Sequence, residues 1–119
     1  MTELASTMTP REIAGQAAHA ISVLNELTHG GGELANPGDV RVIVRCLELI
    51  GQDLPQLYEQ LARFLVIQHE DGQLHNADDI DADGCVTEVI EALAAAGQAA
   101  DMMTAALTEA RTASQVLTP

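Results

Sequence analysis

The chain has 119 residues, enough for one domain with one modest core. It carries 18 acids against five arginines and no lysine, a formal charge of −13, which excludes a basic surface for nucleic acid and disfavours contact with anionic membranes. Ala and Leu dominate its apolar 47%, with one Phe, one Tyr and no Trp, so the composition leans helical and away from disorder.

After eight residues expected to fray, Thr9 reads as an N-cap, Pro10 as the first helical position and Glu12 as the closing acid of a capping box. Ile13, Ala17, Ala20, Leu24 and Leu27 then recur at four-three spacing, predicting a helix over 10–29. His29-Gly30-Gly31-Gly32 stops it, because consecutive glycines lose too much backbone entropy in a helix.

Asn36-Pro37-Gly38-Asp39 signals a second start, and the helix is expected over 37–69. Its apolar positions are Val40, Ile43, Leu47, Ile50, Leu54, Leu57, Leu61 and Phe64, widened by Val44, Tyr58 and Leu65 into a broad core-facing stripe. Pro55 cannot continue the hydrogen-bond ladder, so the spacing predicts a kink there, or a break that would make four helices in all.

Residues 70–83 form an acidic loop holding Glu70, Asp71, Asp78, Asp79, Asp81 and Asp83. The third helix is expected over 84–117. Val86, Val89, Leu93, Ala96, Ala100, Met103, Leu107, Ala110, Ser114 and Leu117 line one face, and Ala92, Ala95, Ala99, Met102, Ala106 and Ala113 run beside them. If the chain turns back near Asn76, residues whose numbers sum to roughly 153 lie opposite one another, setting Tyr58 against Ala94-Ala95-Ala96. The fold class is therefore all-α, an antiparallel bundle of one short and two long helices in a single domain. The short helix covers about half of the groove, and the apolar surface left over implies a partner.

Catalytic signatures are sparse. His29-Gly30-Gly31-Gly32 resembles the oxyanion segment of some esterases, but that chemistry needs a Gly-x-Ser-x-Gly elbow on a sheet, and the sequence has neither. Asp79-Ile80-Asp81-Ala82-Asp83-Gly84 resembles the opening of an EF-hand calcium loop, which implies Asp79, Asp81 and Asp83 as ligands of a divalent cation. The twelfth position, normally a bidentate acid, is Ile90. His69, Glu70, Asp71, His75 and Cys85 gather near one end of the bundle without matching a compact zinc spacing, and a small buried thiol is the ordinary expectation for Cys85. In size and hairpin plan the chain is similar to the small secreted WXG-type proteins. It has no Trp, and Ala62 stands four positions after Tyr58 where that pattern wants an acid, so it is not assigned to them.

Cys46 and Cys85 are too few for a disulfide framework. No N-terminal run joins a basic end to an apolar middle, and no apolar stretch reaches the roughly 18 residues of a membrane helix. These features predict a soluble, cytoplasmic protein with reduced thiols. The expected function is a non-enzymatic interaction module, self-associating as a homodimer or binding another helical protein through Val66, Ile67, Ala92, Ala99, Met102 and Ala106. Cation or small-ligand binding by the loop at 78–84 is the alternative, and an acidic mimic of DNA the third.

Overall fold

The computed structural model describes residues 7–72, 74 and 82–118. Among them are three long helices and no strand: α1 (Pro10–Thr28), α2 (Pro37–Glu70) and α3 (Ala82–Ser114). The chain divides into two compact units, Met1–Asn36 and Pro37–Pro119.

In the first unit, the backbone N–H of Glu12 donates to Thr9 Oγ1 at 3.2 Å and the Thr9 hydroxyl donates to Glu12 Oε1 at 3.1 Å, so the capping box forms as its residues predict. The helix ends at Thr28 in a short 3-10 turn, His29–Gly31. Gly30 and Gly31 adopt φ of 63° and 79°, the left-handed region that a side chain would strain. No residue of α1 is buried.

In the second unit, α2 is one continuous helix through Pro55; the expected break, and with it a fourth helix, does not occur among the described residues. Pro55 cannot donate to the carbonyl of Gly51 four residues back, and across the interface it lies against Gly97 of α3. At about 1.5 Å per residue, α2 and α3 each run about 50 Å. The third helix begins two residues earlier and ends three earlier than its sequence stripe suggests.

The two long helices pack together, and their contacts run in reverse order along the chain. Arg41 Nη1 donates to the carbonyls of Ser114 and Leu117, both at 2.9 Å, fastening the C-terminal end of α3. Gly51 lies against Thr104, Pro55 against Gly97, and His69 pairs with Asp83. These residue numbers sum to 155 for Arg41–Ser114 and Gly51–Thr104, and to 152 for Pro55–Gly97 and His69–Asp83. The helices therefore run in opposite directions, close to the register that a turn near Asn76 implies; Asn76 itself lies outside the described residues.

On α3 the expected row holds, with Val86, Leu93, Ala96, Leu107 and Ser114 half-buried and Ala100 buried, but on α2 the packed face is shifted from the main stripe. Buried residues of the pair are Glu48, Gly51 and Ala100, and the row of α2 turned to α3 is Val44, Glu48, Gly51, Pro55, Tyr58 and Ala62. The three-four stripe of α2 read as the core is rotated away, with Val40, Ile50, Leu57, Leu61 and Phe64 exposed, Phe64 by 60%. Helix pairs approach most closely where side chains are small, and Gly51 against Thr104 with Pro55 against Gly97 satisfies that better than leucines do.

Candidate functional site

The most enclosed side chain of the hairpin is a carboxylate. Glu48, 1% exposed, sits between α2 and α3. Its Oε2 accepts from Thr108 Oγ1 at 2.8 Å and from Arg111 Nη2 at 3.3 Å, its Oε1 accepts from Arg111 Nε, and Arg45 Nη1 lies 3.6 Å from Oε2. The hydrogen bond from Arg111 holds the Glu48 carboxyl below the usual carboxylate range. Burial opposes this, while the Thr108 donor and the charges of Arg111 and Arg45 add to it. Glu48 in turn raises the pKa of Arg111. A carboxylate held ionised, with both oxygens occupied, is poorly suited to carry a proton in catalysis. It joins the two helices through Thr108 and Arg111.

Around this seam the hairpin has two unlike sides. On one, Gln52, Gln56, Glu59, Gln60 and Arg63 of α2 stand beside Asp101 of α3, and Glu59 pairs with Arg63 at 2.9 Å. A shallow cleft there, floored by Pro55, Tyr58, Leu93 and Gly97, is rimmed by Glu59, Gln98 and Asp101.

Stepping about 100° per residue from the packed rows gives the other side. On α2 it carries the half-buried Ile43, Leu47 and Leu54 and the exposed Leu57, Leu61 and Phe64. On α3 it carries Ala92, Ala96, Ala99, Met103, Ala106 and Ala110, of which only Ala96 is half-buried. None of these positions is charged. One helix thus offers a ridge of large apolar side chains and its neighbour a strip of small ones.

Of the residues expected at an interface, Ala92, Ala99 and Ala106 lie on this uncharged side. Met102, 75% exposed, is about 160° round the helix from Ala100 and points away from α2. Ile67 is similarly about 160° from His69, the residue that pairs across to α3. Val66 is half-buried near the same end.

Of the expected cation ligands, Asp79 and Asp81 lie outside the described residues, as do Asp78 and His75. Asp83 is exposed and pairs with His69 Nε2, an α2–α3 contact beside the loop. Cys85 is exposed, against the expectation of a buried thiol; Cys46 is exposed too, and neither is in a disulfide. Among the described residues no three His, Cys, Asp or Glu side chains converge as metal ligands, and no helix is long and apolar enough to cross a membrane.

Sequence reasoning missed Glu48, Thr108 and Arg111. The signal was present: Glu48 continues the row of Val44 and Tyr58, and the hairpin register sets it within a turn of Thr108 and two turns of Arg111. Being polar, it reads as an interruption of the stripe. No family model matches this chain, and neither a curated protein nor a solved structure is similar to it.

Proposed function

We propose that this protein is a non-enzymatic interaction module that self-associates through the uncharged side of its α2–α3 hairpin, two copies completing an antiparallel helical bundle. The observation that carries this reading is the ridge Leu57, Leu61 and Phe64, left exposed beside an uncharged strip of alanines. Contiguous apolar surface of this kind marks an association site more often than a free surface.

The amount of surface agrees. A face about 40 Å long and two helices wide, about 20 Å, offers about 800 Å² per copy, the size found in stable specific complexes. A charge of −13 opposes association, but on this side of the helices only Asp39, one turn before Ile43, and Glu88, one turn before Ala92, carry charge, and the stretches 43–61 and 92–110 of the face are uncharged.

Light scattering over a range of concentrations tests the reading. A dimer that Leu57→Glu converts to a monomer of unchanged helicity supports it. A parent protein that stays monomeric at all concentrations refutes it.

A further inference from the structure

Resting on that reading, we infer how the two copies meet: α2 of one copy seats on α3 of the other, about a two-fold axis parallel to the helices. Two hairpins placed face to face have two symmetric choices. A two-fold across the helices sets α2 on α2 and α3 on α3. A two-fold along them sets α2 on the partner's α3, twice.

The residues separate these choices. In the first, leucines meet leucines in one layer and alanines meet alanines in the other, so the two layers need different spacings. In the second, the leucines meet alanines in both layers, with Ile50 near Met103 and Phe64 near Glu88 as the exceptions, and both layers have one spacing. The register then follows without adjustment, because a two-fold along the helix axes permits no sliding. Each residue of α2 meets the partner residue at the height of its own neighbour in α3. Contact numbers summing to 152 near Pro55–Gly97 and 155 at Gly51–Thr104 place Leu54 on Ala99, Leu57 on Ala96 and Leu61 on Ala92. Each leucine of the ridge finds an alanine.

Charge enters against this choice. It brings Glu70, Asp71 and Asp83 of both copies to one end and Arg41, Arg45 and Arg111 to the other. These acids are exposed, and interactions between exposed charges are largely screened beyond about 8 Å at physiological salt. Packing along about 40 Å of helix decides the geometry, and the charge leaves a mark: added salt strengthens this dimer, whereas it weakens one with the ends alternated.

Disulfide trapping tests the arrangement. In a background with Cys46→Ser and Cys85→Ser, Leu57→Cys and Ala96→Cys are made in separate chains and checked for helicity. Oxidising the mixture is expected to give a cross-linked heterodimer, and oxidising either alone to give none. Leu54→Cys with Ala99→Cys repeats the test should the first pair perturb folding. A Leu57→Cys homodimer, or a dimer by light scattering that none of these pairs traps, overturns the pairing and leaves self-association standing. A background protein that light scattering finds monomeric removes both.

Discussion

Gly51 is where the hairpin is most sensitive to one added atom. A Cβ there would lie well inside van der Waals contact of Thr104 Oγ1 and 3.1 Å from Met103 Cε. The methionine can move; the threonine resists. It is β-branched and stiff at χ1, and its hydroxyl donates to the Ala100 carbonyl at 2.8 Å. Overpacking of this kind costs about 1–3 kcal/mol. Replacing a mid-helix glycine by alanine returns about 1 kcal/mol of helix propensity. With a contact so far inside van der Waals distance the upper part of the range applies, and Gly51→Ala is expected to destabilise by about 1–2 kcal/mol net. Thermal unfolding followed by circular dichroism should show Tm lower by about 4–10 °C. Thr104→Ala in the same chain should recover most of the loss, since it removes the clashing oxygen. Gly97→Ala is the control: its Cβ would meet Pro55 at 3.7–3.8 Å, an ordinary contact, so the propensity gain should show undiminished. A Gly51→Ala protein as stable as its parent would refute the claim that close approach at this point holds the helices together.

The pH dependence of stability carries a component from Glu48. Its folded pKa is lowered, so its contribution is fully present above the unfolded carboxyl value of about 4.3 and is lost as pH falls through the lower folded value; Glu48→Gln should flatten that acid limb in urea midpoints measured from pH 2 to 6. If association completes the fold, Tm rises with protein concentration, and Leu57→Glu should abolish that rise in scans over a hundredfold range of concentration. Gly15, in α1, has nothing within 4 Å of an added Cβ, so Gly15→Ala should raise helicity and stabilise α1 by about 0.5–1 kcal/mol, seen as slower amide exchange there.

Element ends were legible where a side chain acts on its own backbone. Thr9, Pro10 and Glu12 announce α1, and Asn36-Pro37 announces α2, because capping is local chemistry. The continuity of α2 was not legible at Pro55, since tolerance of a proline depends on what packs against the helix there, here Gly97 of α3. Which stripe of α2 would pack was misread for a related reason. Periodicity finds the most apolar face of a helix, but in α2 that face is the ridge from Leu57 to Phe64, while the face meeting α3 is chosen by Gly51, Pro55 and Ala62, which carry little hydrophobicity. The alanines of α3 were found, and Ala92, Ala99 and Ala106 share the uncharged side, whereas Ile67 and Met102 entered only by being apolar and point elsewhere. The charged seam escaped because its three residues lie on two helices about 60 positions apart in sequence.

That seam bears on a problem every alanine-rich helix pair faces. The α3 row turned to α2 is small at its centre, through Gly97, Ala100 and Thr104, so packing alone distinguishes weakly between neighbouring alignments. Glu48 and Arg111 remove the degeneracy. Moved by a turn, the carboxylate would face Thr104 or Leu107 in place of Thr108 and Arg111, and an ion taken out of water without its counter-ion is heavily penalised. The pair therefore acts as an index mark on an otherwise featureless scale: whatever net attraction it adds, it makes one setting of the two helices admissible and the adjacent ones not.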